Sequence, residues 1–248
     1  MKKVSVCFLL IILFFTHTGF CSEKLTKYLL PEEHWLRANL DKIFTSKDVL
    51  ESKHSLKGAG FTILYNQPSG MKIAKHPLLP GYLIKTYLNS DQKGAKWAIN
   101  RCEGAENVRN LIEKEQLQFF LVPDKWIYLV AYPDPLVVVL VVKDMEIASW
   151  KETKAAWKNV SKAEMRELHT ILSHGFASCY LIGNIPYTKK GKFACVDTAY
   201  PYRKFSYHKI KKYFSPKMQE YWDELENPDK DKDESYFFWR NEVPYRLD

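Results

Sequence analysis

Residues 136–142 read LVVVLVV, seven apolar side chains in succession. Successive side chains of a strand point to opposite faces, so an apolar run without alternation marks a strand buried on both faces. A fold that holds such a strand has to cover it on two sides. Neighbouring segments read as further strands. Residues 61–65 and 71–74 flank the turn Gln67-Pro68-Ser69-Gly70, and 81–88 follow. Residues 119–122 and 126–130 read as one strand interrupted by Pro123-Asp124-Lys125.

Helical spacing appears on either side of these strands. Leu36, Leu40, Ile43 and Phe44 predict a helix over 31–44, and Val108, Leu111 and Ile112 predict one over 103–114. Ser149 with Glu152 and Ser161 with Glu164 match the capping box, which satisfies free amides at a helix start. The second of these helices carries Met165, Leu168 and Leu172 and is stopped by Gly175. Residues 184–187, the turn Lys189-Lys190-Gly191 and residues 193–196 read as a hairpin ending in Asp197. Ser215-Pro216 opens a last helix through Leu225. This order is that of an α+β fold with a β-rich first lobe.

The N-terminus has the zones of a secretory signal peptide. Lys2 and Lys3 precede a largely apolar run over 4–15, and a small and polar stretch leads to Ser22. That run is shorter than the about 20 apolar residues a transmembrane helix needs. Cleavage after Cys21 is expected, with Gly19 and Cys21 as the small residues before the cut. An uncleaved anchor and a lipid-bearing Cys21 are the alternatives, the second poorly suited by bulky Phe20. The expected mature chain has 227 residues, 35 basic and 29 acidic, for a formal charge of +6. It is expected to be soluble, without stable membrane insertion, and periplasmic or secreted. The full chain's apolar content of 46% excludes disorder for most of its length. Three cysteines remain, Cys102, Cys179 and Cys195, without a C-x-x-C pair, so neither a disulfide framework nor a zinc site is signalled.

Other chemistries are poorly supported. A basic, aromatic stretch over 203–217 precedes eight acids within 220–234, which would repel phosphate, so no nucleic-acid partner is expected. His169 and His174 are five apart, unlike a helical metal pair at i, i+4. No G-x-S-x-G elbow occurs, and Cys179 beside His174 reads as coincidence rather than a nucleophile pair.

The element order and certain residues together resemble the protein-kinase-like fold, over residues 58–200. Lys85, in Tyr82-Leu83-Ile84-Lys85, resembles the V-A-I-K lysine of the third strand, and Glu106 matches its helix glutamate. Residues 136–142 look like the buried strand that runs into the hinge at Lys143-Asp144-Met145-Glu146. Asn184 and Asp197 stand thirteen residues apart around the hairpin, which suits the short hairpin between the two magnesium-holding residues of a kinase. After the signal peptide over 1–21 and a helical extension over 22–57, the resemblance implies a two-lobed layout: a β-rich N-lobe over 58–145 and a small helical C-lobe over 146–248. It also implies ATP and Mg²⁺ as ligands.

The departures set the functional expectation. Cys179 stands where the catalytic aspartate belongs, and a thiol with an ordinary pKa of about 8.5 is mostly neutral at pH 7. General-base catalysis is worth about 10²–10⁴-fold, so this change alone removes most turnover without touching binding. No glycine-rich loop lies in the first hairpin, Thr198-Ala199 replaces Phe-Gly after Asp197, and no A-P-E motif follows. The expectation is an exported pseudokinase-like protein that binds nucleotide and acts through a protein partner. A phosphotransferase with a non-standard base, Ser178-assisted or with Asp197 in two roles, is one alternative. An exported interaction protein without a ligand is another. ATP is scarce outside the cytoplasm, and all three readings carry that tension.

Overall fold

The apolar run forms the strand Val137–Lys143, which lies between two antiparallel neighbours in a five-stranded sheet. The computed structural model describes residues 19–66, 70–88, 94–130, 137–174, 180–198 and 207–227. In chain order the elements are α1 (Gly19–Lys27), α2 (Trp35–Ile43), α3 (Lys53–Gly58), β1 (Thr62–Asn66), β2 (Met71–Lys75), β3 (Tyr82–Tyr87), α4 (Lys96–Lys114), β4 (Phe120–Leu121), β5 (Lys125–Val130), β6 (Val137–Lys143), α5 (Trp150–Lys158), α6 (Lys162–Ser173), α7 (Leu181–Asn184), β7 (Phe193–Ala194) and α8 (Pro216–Glu226), with 3₁₀ turns at Lys47–Leu50 and Tyr207–Tyr213. The fold is α+β. No helix among the described residues is long and apolar enough to cross a membrane.

The chain forms two units. The first comprises the described residues of Met1–Arg109, Val122–Met145 and Asp197–Pro201. Its sheet has the order β1-β2-β3-β6-β5, antiparallel throughout. The alternation of β6 divides the core in two. Val137, Val139 and Val141 pack with Ile84 and Val130 against Leu36, Leu40, Leu50 and Leu56 of the N-terminal helices. Val138, Leu140 and Val142 pack with Met71 and Ile127 against Trp97, Ala98, Ile99 and Cys102 of α4. Both faces are therefore covered, as an uninterrupted apolar strand requires. The outer edge of β5 is covered by the segment after α1, where Leu30 N donates to Ile127 O at 2.9 Å and Ile127 N to Tyr28 O at 2.8 Å. Such cover keeps an edge strand from pairing with another chain.

The second unit comprises the described residues of Asn110–Leu121, Glu146–Val196 and Tyr202–Asp248. Both expected capping boxes are formed, at Ser149 for α5 and Ser161 for α6. Met165, Leu168 and Leu172 are buried. Trp157 of α5 stacks on Phe193 at 3.9 Å between centroids, and its Nε1 donates to Ile185 O. The expected hairpin is present as a backbone ladder: Val196 N bonds Asn184 O, Ala194 N bonds Pro186 O, and Thr188 N bonds Lys192 O, each at 2.9 Å. Gly191 takes φ +77°, the left-handed region a glycine occupies without strain, and closes the turn. Within the basic stretch, residues Tyr207–Tyr213 form a 3₁₀ turn, and Ile210 is buried.

Two expectations need correction. Residues 119–130 are not one interrupted strand. β4 pairs in parallel with β7 in a two-stranded sheet, whereas β5 joins the five-stranded one. Pro123 lies between them and lacks an amide for a ladder, so the interruption is a true break. Helix α4 begins at Lys96, seven residues before Glu103. Its first turns alternate Lys96, Asn100 and Arg101 with buried Trp97, Ala98 and Ile99, and the charged positions obscure the apolar stripe.

Candidate functional site

Strand register decides which side chains share the α4 face of the sheet. Lys85 on β3 lies opposite Leu140, and Lys125, the first residue of β5, lies opposite Val142. Directly paired residues point to the same face. Leu140 and Val142 face α4, so both lysines do too, and they are only 5% and 7% exposed. Lysine is almost never fully buried unless it is paired.

The groups that meet these lysines come from α4 and from the segment after the hairpin. Arg101 Nε lies 3.5 Å from Asp197 Oδ1, an ion-pair contact longer than a well-formed hydrogen bond. Thr198 Oγ1 donates to the carbonyl oxygen of Arg101 at 2.6 Å, and Lys125 Nζ donates to Thr198 Oγ1 at 2.7 Å. The approach to the helix is close enough to require a glycine. A Cβ placed on Gly104 would stand 2.2 Å from the Thr198 carbonyl oxygen and 3.0 Å from its Cβ.

The electrostatics follow from burial. Desolvation lowers the pKa of Lys85; Asp197 acts against that and Arg101 adds to it. Lys125 is pushed down to about 7, first by burial and then by the neighbouring Lys85 charge and by Arg101, with Asp197 and Cys102 opposing. Burial raises the Cys102 thiol to about 12, although Lys125 and Arg101 act to lower it. A thiol in that state is inert as a nucleophile.

Of the five residues singled out from the sequence, Lys85 and Asp197 both lie in the first unit, within electrostatic reach of one another. Glu106 is engaged elsewhere on α4: its carboxylate accepts from Tyr28 Oη and Lys27 Nζ, both at 2.6 Å. These bonds hold the Glu106 carboxyl below the usual carboxylate range. The α4 residue that acts on Lys85 is Arg101, a cation, where the kinase pattern expects an anion. Asn184 is the last residue of α7 in the second unit, and its carbonyl accepts from Val196 N. Cys179 lies outside the described residues.

Lys125, Arg101, Gly104 and Thr198 escape a reading of the sequence. Lys125 sits in a tripeptide that interrupts two apolar stretches. The signal that could have found it is period two: Lys125 shares a face with buried Ile127 once the strand is started at 125.

Among the described residues, cavities of two kinds are seen in the first unit. A cleft of about 190 Å³ is lined by Lys27, Tyr28, Cys102, Glu106, Arg109 and Lys125. A more open one of about 540 Å³, lined by Lys42, Ser46, Asp48, Ser55 and His76, includes none of the candidate residues. His76 is engaged there through both ring nitrogens, with Ala59 O and Leu78 N. Among the described residues no group of three or more His, Cys, Asp or Glu side chains could hold a metal ion. Mg²⁺ does not need such a cage, since it is usually held by one or two carboxylates with waters and substrate phosphates. Comparison with protein-family models, curated proteins and solved structures gave no match to the chain.

Proposed function

We propose that the chain is an exported, degenerate protein-kinase-like protein that binds Mg²⁺–nucleotide, transfers phosphate poorly, and works by contacting a partner protein. The observation that carries the reading is the burial of Lys85 on the α4 side of the sheet within electrostatic reach of Asp197. The order of the elements in the five-stranded sheet supports it: three antiparallel strands, a helix, then two further strands of that sheet with β6 beside β3, and the lysine on the third strand. Lys85 would neutralise nucleotide phosphate. Asp197 would offer Mg²⁺ the oxygen donors a hard ion prefers, and the ion would offset the phosphate charge. In the second unit, Trp150 and Tyr180 stand 56% and 46% exposed with centroids 5.8 Å apart, an apolar pair suited to a protein contact.

Arg101 favours a second reading, an exported interaction protein that keeps the fold without a ligand. Its guanidinium already neutralises the Asp197 carboxylate that Mg²⁺ would need. Thermal unfolding separates the two. At 100 times its dissociation constant, Mg²⁺–ATP stabilises a protein that binds it by about 2.7 kcal/mol. The expected outcome is a raised melting temperature in the parent, lost in Lys85→Met and Asp197→Asn, with phosphate transfer near background. Cys179→Asp is expected to raise that transfer. No shift at millimolar Mg²⁺–ATP would leave the ligand-free reading standing. Robust transfer by the parent would overturn the pseudokinase assignment.

A further inference from the structure

Thr198 occupies the position after Asp197, where the kinase pattern has an apolar phenylalanine. Its surroundings here are polar and directional. A threonine hydroxyl carries one proton and two lone pairs. The proton goes to the Arg101 carbonyl at 2.6 Å, so the amine of Lys125, 2.7 Å away, is the donor to the hydroxyl oxygen. The chain of bonds therefore runs from β5 through Thr198 to α4. The main chain of Thr198 is seated as well, because its carbonyl oxygen lies against Gly104 with no room for a Cβ. An apolar residue at position 125 would fill this sheet face without the desolvation cost of an amine. The lysine instead reaches the one residue that follows the candidate magnesium ligand.

From this geometry we infer that Lys125 is a positioning residue, which acts through Thr198 to hold Asp197 beside Arg101. What Asp197 does once it is held rests on the nucleotide reading above; where it is held does not. The kinase pattern supplies this restraint by packing a ring. In this chain a hydrogen-bonded peg between sheet and helix takes its place, and it ties the aspartate to both walls of the site.

The test uses Lys125→Met, Thr198→Val and Thr198→Ser in the full mature chain. Valine keeps the shape of threonine without the hydroxyl, and serine keeps the hydroxyl without the methyl. The first readout is hydrogen–deuterium exchange at the amides of Asp197 and Thr198 without ligand. Exchange there is expected to rise about tenfold in the methionine and valine variants, as suits the loss of one buried hydrogen bond, and to stay at the parent level in serine. The amides of β6 should remain protected in all three. The second readout is the affinity for Mg²⁺–ATP, expected to fall about tenfold in methionine and valine and to be kept in serine.

Parent-like exchange and parent-like affinity in both Lys125→Met and Thr198→Val would overturn the inference while leaving the nucleotide reading intact. If the parent shows no Mg²⁺–ATP response, the nucleotide reading fails and exchange alone decides. Parent-like exchange then overturns the peg, and faster exchange rescued by serine upholds it. Should Lys125→Met fail to fold, the valine and serine pair decides by itself, because neither removes the lysine.

Discussion

Lys125 and Lys85 occupy a sheet face that apolar side chains would fill without electrostatic cost, and the consequence is a pH dependence of a particular sign. Lys125 is held at about 7 in the folded chain, against an ordinary value of 10.5. Between these values the unfolded chain keeps the proton and the folded chain has released it. Stability therefore rises with pH from about 7, and below about 7 the fold carries the full cost of a buried ammonium. Cys102 works in the opposite direction at higher pH. Its thiol stays protonated in the fold up to about 12 while an unfolded one ionises near 9.0. The informative window is thus about pH 7 to 9. Denaturant titrations across it should show a positive slope in the parent and a shallower one in Lys125→Met. The slope that remains belongs in part to Lys85, which burial shifts in the same direction. An equal slope in the two proteins would show that Lys125 does not change its charge on folding.

Element by element, β6 is the clearest link from sequence pattern to packing. Its neighbours Val138 and Val139 are both fully buried, yet they belong to different halves of the core. A half-buried strand would show a sensitive position followed by a tolerant one. Here Val138→Ala and Val139→Ala should each destabilise by about 1–3 kcal/mol, since each leaves a cavity in a packed layer. Urea titration measures both, and a loss confined to one of them would mean that one face is poorly packed. The capping boxes at Ser149 and Ser161 show a different kind of legibility. They involve residues three apart, so a short stretch of chain contains the whole interaction. α4 lacks that advantage at its start, where Lys96 and Arg101 interleave with the buried Trp97 and Ala98.

At the scale of the molecule, the N-terminal segment bears on the export proposed above. It is tied to α4 by residues that follow the expected cleavage point. Lys24 pairs with Glu103 at 2.8 Å, Lys27 and Tyr28 meet Glu106, and Leu25 is buried in the α4-side core. Removal of residues 1–21 keeps every one of these, although α1 spans the cut. Intact-mass measurement of the exported protein should give a chain of residues 22–248. A species retaining Met1, or one lipidated on Cys21, would overturn the assignment. The same contacts explain why Glu106 is misleading as a partner for Lys85. Its acid at the right distance along α4 serves the N-terminal segment, which a residue count along the chain cannot reveal.

The interactions that can be read without a fold are those that close over a few residues: the doubly buried strand, the two capping boxes, the Lys-Lys-Gly hairpin and the proline-started α8. In these the pattern and its physical cause lie within one window of chain. The Arg101 guanidinium that meets the Asp197 carboxylate is not legible in this way. Three features exist only once the chain is folded: the separation of β4 from β5, the engagement of Glu106 with Lys27 and Tyr28, and the peg formed by Lys125, Thr198 and the Arg101 carbonyl. The peg joins residues up to 97 positions apart. Whether a lysine is solvated or buried depends on the partner strand opposite it and the helix above it, and neither is a property of its own neighbourhood in the chain.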